Sequence, residues 1–118
     1  MSKNGRNLPK RRAVMFVYDG VQVIDMAGAA QALTTANEEG AVPEYDLRLC
    51  AMAAGPVMTA SSFPMVAEAL PRGGSIDTIF IPGGPGVQHL RQSAEAISAL
   101  SDLCGRARRI CAICTGAW

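Results

Sequence analysis

"RRICAICTGAW", residues 108–118, decides how the rest of the chain is read. A β-branched and apolar run closes on Cys-Thr-Gly-Ala, the pattern of a strand that turns sharply through small residues. Upstream, "TIFIPGG" (78–84) is a second apolar run that ends in a glycine-rich turn. Between the two, "SAEAISALSDLCGRA" (93–107) starts at Ser93, a candidate N-cap, and its apolar Ile97, Leu100, Leu103 and Cys104 share one helical face. Strand, helix and strand in that order are a βαβ unit.

The same alternation extends to the start. "AVMFVY" (13–18) is a nearly continuous apolar run, suited to a strand buried on both faces. "VIDMAGAAQALTTANEEG" (23–40) follows, with Ile24, Ala27, Ala30 and Leu33 at helical spacing and Gly40 as a stop signal. "YDLRLCAM" (45–52) is the next strand, followed by shorter extended pieces around "VMTA" (57–60) and "MVAEAL" (65–70). The whole predicts an α/β fold, a parallel sheet with helices on both faces.

The length of 118 residues fits one domain. An apolar content of 49% with 18% charged residues is a globular balance. No apolar run approaches the roughly 20 residues of a membrane-spanning helix, and the N-terminus lacks a signal-peptide pattern, so a cytoplasmic protein with no membrane partner is expected. Lys3, Arg6, Lys10, Arg11 and Arg12 crowd the first twelve residues, whereas the remaining six basic residues face ten acidic ones. Residues 1–11 therefore read as a basic flexible arm, and 12–118 as the domain. Such an arm alone is no warrant for DNA binding.

Cys50, Cys104, Cys111 and Cys114 lie in or beside apolar segments, and without a secretory signal disulfides are not expected. Cys111 and Cys114 have C-x-x-C spacing, but zinc needs further ligands and His89 is the only histidine, so no metal and no cofactor are expected. Cys111 also falls inside a strand-like run rather than at a helix start, which argues against a thioredoxin-type pair.

In open parallel sheets, ligands gather at the carboxyl ends of strands. Three stretches converge there: the loop after the first strand, "IPGGPG" (81–86) and "CTGA" (114–117). Cys114 on a nucleophile elbow would sit at the start of the next helix, where its thiolate is favoured. From Cys-Thr-Gly-Ala alone, a buried core cysteine is the commoner case. "IPGGPG" shifts the balance, because adjacent glycines let backbone N–H groups approach a ligand, although the same residues make ordinary turns. Asp25, in "VIDMAG", is either a helix cap or an acid or base near the thiol. Elsewhere, Met15, Met26, Met52, Met58 and Met65 read as core packing, His89 as a surface turn residue, and Arg106, Arg108 and Arg109 as a solvated turn.

The ordered set "YDGVQVIDMAG", "YDLRLCAMAAGPVMTAS", "IDTIFIPGGPG" and "RRICAICTGAW" resembles the ThiJ/PfpI superfamily from about Arg12 to the end. The resemblance implies a class I glutamine amidotransferase-like, flavodoxin-like fold, apparently truncated after the nucleophile elbow. It is closest to the N-terminal half of AraC-type (GlxA-like) transcriptional regulators, and similar also to isonitrile hydratases. It makes Cys114 the elbow nucleophile, Asp25 its acidic partner, and Gly84 and the N–H of Thr115 the oxyanion donors. Ala29 stands where relatives often carry proline, and the histidine that some place beside the cysteine would lie after residue 118.

Two functions follow from it. One is a ligand-sensing domain that binds a small molecule at the Cys114 pocket and reaches DNA only through an absent C-terminal helix-turn-helix module, with a homodimer open. The other is a cysteine-dependent enzyme acting on small carbon–nitrogen compounds, such as an isonitrile hydratase. A third, weaker reading is a thiol sensor in which Cys114 oxidises to sulfenic acid.

Overall fold

The computed structural model describes residues 9–113. Cys114, Thr115 and the rest of the elbow lie outside the described residues. Among the described residues, β1 (Arg11–Phe16), β2 (Tyr45–Ala51), β3 (Gly55–Met58), β4 (Pro64–Ala69), β5 (Ile76–Ile81) and β6 (Ala107–Ala112) form one sheet. Its order is β3-β4-β2-β1-β5-β6. Only the β3–β4 pair is antiparallel; the other pairs are parallel. The helices are α1 (Val23–Glu38), α2 (Val87–Arg91) and α3 (Ala94–Arg106).

β1 occupies the middle because its residues can be buried on both sides. Val14 packs with Cys50, Ile76, Ile79 and Leu103 of α3, whereas Ala13 and Met15 pack with Met26 of α1. The flavodoxin-like α/β architecture expected from the sequence is therefore present, with helices on both faces. From β1 the chain crosses to β2 on one side, and from β5 to β6 on the other. The crevice between β1 and β5 is thus the topological switch point, where ligands bind in such sheets.

Several expectations shift in detail. β1 starts two residues before the apolar run, because the Arg11 N–H donates to the Glu44 carbonyl and strand pairing begins at Arg11 opposite Tyr45. In α1 the sheet-facing residues are Met26, Ala29 and Leu33, while Ile24 is 73% exposed. Apart from Asp25, the first half of that helix is built of apolar residues and glycine, so its spacing does not single out one face. In α3 the buried residues are Ala96 and Leu103, with Leu100 and Cys104 packed beside them, and Ile97 points to solvent. Ser93 caps α3 as expected, its hydroxyl accepting from the Ala96 N–H at 3.1 Å. Gly40 closes α1 at φ +99°.

Met15, Met26 and Met65 join the core, but Met52 and Met58 are exposed. His89 is exposed on the five-residue α2, a helix too short for periodicity to reveal, rather than on a turn. The arginine cluster is also no turn: Arg106 ends α3, and Arg108 and Arg109 lie on β6. Arg106 bonds Asp102 and the carbonyls of Pro71 and Gly74, while Arg108 pairs with Asp77 at 2.9 Å.

Candidate functional site

Asp25 is the third residue of α1, and it does not cap the helix. The cap position is Gln22, whose side chain makes no capping bond. The Asp25 carboxylate reaches across the crevice instead, and its Oδ2 accepts the Gly83 N–H at 3.1 Å. The Gln22 side-chain amide lies at 3.5 Å from Oδ1. The carboxylate is thereby fixed to the loop that follows β5, since a charged acceptor strengthens such a bond.

That loop is held by several further hydrogen bonds to its backbone. The Tyr18 hydroxyl donates to the Pro82 carbonyl at 2.7 Å, the Gln22 N–H to the Gly83 carbonyl at 2.9 Å, and the Val87 N–H to the Gly84 carbonyl at 3.0 Å. Tyr18 is 7% exposed, and its ring stacks on Phe16 with centroids 5.9 Å apart. Burial and then the negative charge of Asp25 push the Tyr18 phenol up to about 12. It stays a neutral donor at any ordinary pH.

The glycines serve a purpose that the sequence left open. Gly84 has φ +149°, and a Cβ there would lie 2.4 Å from the Gly20 carbonyl oxygen and 2.7 Å from the Gln22 nitrogen. A Cβ on Gly86 would lie 2.1 Å from the Asp19 carbonyl oxygen. The two glycines let the β1–α1 loop and the β5–α2 loop meet backbone to backbone. Gly83, whose N–H is engaged by Asp25, and Gly84 thus line the seam between β1 and β5.

Of the three stretches expected to converge, the first two do so. The third is represented by its approach: the Ile113 N–H donates to the Ile81 carbonyl at 3.0 Å, so β6 runs beside β5 up to Ile113, the residue before Cys114. The assignments of Cys114 and Thr115 fall outside the described residues. The other cysteines do not share this site. Burial pushes the Cys50 and Cys104 thiols up, and Cys111 is exposed on β6.

A cleft of about 330 Å³ opens beside this seam at the carboxyl ends of β1 and β2. Its walls include Val17, Tyr18 and Asp19, the segment Ala51 to Ala53 at the end of β2, and His89 and Leu90 of α2. The volume is at the lower end of the range for small-molecule sites. Tyr18 belongs to both the cleft and the Asp25 seam. Sequence reasoning passed it over, although a tyrosine after a fully buried strand needs a partner for its hydroxyl. Among the described residues, no group of three or more His, Cys, Asp or Glu side chains could hold a metal ion.

An open parallel sheet with a carboxylate and a double-glycine loop facing each other at its switch point defines an α/β protein of the flavodoxin-like class. The chain belongs to the DJ-1/PfpI family, whose pattern matches residues 11–118. It is 29% identical over 108 residues to an uncharacterised protein in the cpoL 5′ region of Streptomyces lividans, covering 91% of this chain and 75% of that one. Its fold superposes on a ThiJ/PfpI family protein from Pseudomonas syringae with a TM-score of 0.76 at 23% identity, covering 93% of this chain and 44% of that chain. It superposes on an AraC family transcriptional regulator from Pseudomonas putida with a TM-score of 0.74 at 19% identity, covering 92% of this chain and 67% of that chain. The chain thus spans about half to two thirds of those solved structures.

Proposed function

We propose that this is the ligand-sensing part of an AraC-family transcriptional regulator, in which a small molecule binds at the β1/β5 seam beside Cys114. The observation that carries the reading is the Asp25 carboxylate fixed to the Gly83 N–H at the switch point, with a cleft of about 330 Å³ sharing Tyr18. The likeness in fold to the Pseudomonas putida regulator supports it. DNA contact belongs to a helix-turn-helix module outside these 118 residues. The protein is cytoplasmic in this reading and pairs as a homodimer.

One observation favours a second reading, a cysteine-dependent enzyme acting on small carbon–nitrogen compounds such as isonitriles. Asp25 is only partly buried and lies across the seam from the end of β5, along which β6 runs toward Cys114. In that reading the Cys114 thiolate adds to the electrophilic carbon while Asp25 relays the proton that the resulting anion takes up and Gly84 and Thr115 N–H groups steady the developing negative charge; water then adds to the same carbon and breaks the carbon–sulfur bond, returning the thiolate.

Both readings are tested on the complete gene product, by gel shift on its own upstream DNA and by alkylation of Cys114 with iodoacetamide against pH. A sensor retards the DNA, and Cys114 titrates near the ordinary value of about 8.5. An enzyme leaves the DNA unshifted, and Cys114 titrates lower and moves with Asp25→Ala. Cys114→Ser identifies the reacting thiol.

A further inference from the structure

We propose that Tyr18 is a positioning residue that acts with Asp25 on a single peptide group, Pro82–Gly83, and so fixes how the double-glycine backbone faces the ligand seam. The inference rests on the reading that places the ligand at that seam.

The C=O of Pro82 and the N–H of Gly83 belong to one planar unit and point in opposite directions. Tyr18 donates to the first at 2.7 Å, and Asp25 accepts from the second at 3.1 Å. A donor on the oxygen side and an anionic acceptor on the nitrogen side permit one orientation. Rotating the plane by half a turn would set the carbonyl oxygen against the Asp25 carboxylate and the N–H against the hydroxyl proton of Tyr18. Such rotation is otherwise inexpensive beside glycine, which lacks the Cβ that restricts φ and ψ.

The two jaws come from different places. Tyr18 follows β1, held by burial and by the Phe16 ring, whereas Asp25 rides on the first turn of α1. Their relative position is set by the turn of residues 19–22 between Tyr18 and the start of α1, and by the Gly20 and Gly84 backbones in contact. A shift of α1 would therefore be read out at the Gly83 N–H. Removing only the hydroxyl leaves the loop anchored by Gln22 and Val87, so Tyr18→Phe retains the fold while freeing one end of the peptide.

The test is amide hydrogen exchange by NMR on the complete protein labelled with 15N, comparing wild type, Tyr18→Phe and Asp25→Asn. The expected result in Tyr18→Phe is exchange at Gly83 faster by about tenfold, the worth of one buried hydrogen bond. Val14 in β1 and Ile79 in β5 keep their wild-type rates. The Gly83 proton resonance should also move upfield in Asp25→Asn, where the acceptor has lost its charge. Unchanged exchange at Gly83 in Tyr18→Phe overturns the proposal. So does faster exchange spread equally over Val14 and Ile79, which marks loss of packing alone. A gel shift of the wild-type sample on the gene's own upstream DNA separates the two inferences: if Gly83 responds as expected and the DNA is not retarded, the clamp stands and the sensor reading falls.

Discussion

β1 and β6 lie in the same sheet, separated only by β5, and both come from runs that the sequence presents as strands. Their surroundings differ completely. Ala13 to Phe16 in β1 are at most 1% exposed, whereas every residue of β6 from Arg108 to Ala112 is exposed, Ile110 at 56%. β1 has β2 and β5 on its two edges and helices over both faces, while β6 pairs with β5 alone among the described residues. Apolarity marks a strand, but its place in the sheet decides how much of that apolar surface leaves water.

The strongest way to break this comparison is to cut side chains on the two strands. Phe16→Ala removes a fully buried ring and is expected to cost about 3–5 kcal/mol. Ile110→Ala is expected to cost less than about 0.5 kcal/mol, as exposed substitutions do. Urea unfolding followed by circular dichroism gives both values. Equal losses would mean that β6 is covered in solution, and the contrast would fail.

A second contrast lies in the glycines of the two regions around α1. Gly84→Ala places a Cβ against the Gly20 and Gln22 backbones at a positive φ, with nothing flexible to yield, and about 2–3 kcal/mol is expected to be lost. Gly28→Ala in the interior of α1 meets nothing within 4 Å, so it should stabilise the protein by about 0.5–1 kcal/mol. The same unfolding measurement decides it. A tolerated Gly84→Ala would show that the two loops are not packed as closely as described.

How much of this was legible in the sequence follows from the same physics. The strand and helix alternation was readable because periodicity and turn residues act over short distances, and the ordered motifs carried the family. Asp25 was legible as a polar residue in an apolar setting, but not as the partner of Gly83, because 58 residues separate them and only the fold joins them. Gly84 looked like a ligand-facing glycine; its nearest neighbours prove to be the backbone of the other loop. The faces of Ile24 and Ile97 are not legible, because alanines spread around both helices leave the isoleucine without a mark of which side its neighbours cover. Met52 and Met58 failed as core residues for a related reason: the exposed end of the sheet also holds apolar side chains.

Titration sharpens the comparison on its smallest scale, since the buried end of β1 and the exposed edge carry opposite kinds of charge linkage. Tyr18, raised from 10.0 to about 12, holds its proton in the folded chain where the unfolded chain has lost it. Its contribution is whole below pH 10 and is lost as pH rises through 12, roughly 3 kcal/mol in all. Tyr18→Phe should remove that alkaline fall, seen as the difference between the two proteins' urea midpoints from pH 9 to 12. At the edge, burial pushes Asp77 up, but hydrogen bonds from Thr78 and Arg108 and the charges of Arg108 and Arg109 outweigh it and hold the carboxyl below its usual range. That contribution is present above about pH 4 and is lost as pH falls through the lowered value. Because Arg108 is 58% exposed, Arg108→Ala should cost less than about 1 kcal/mol at pH 7 and nothing once Asp77 is protonated. A larger loss at pH 7, or one that persists in acid, would show that the arginine stem is packed against something, and β6 would no longer be the exposed member of the pair.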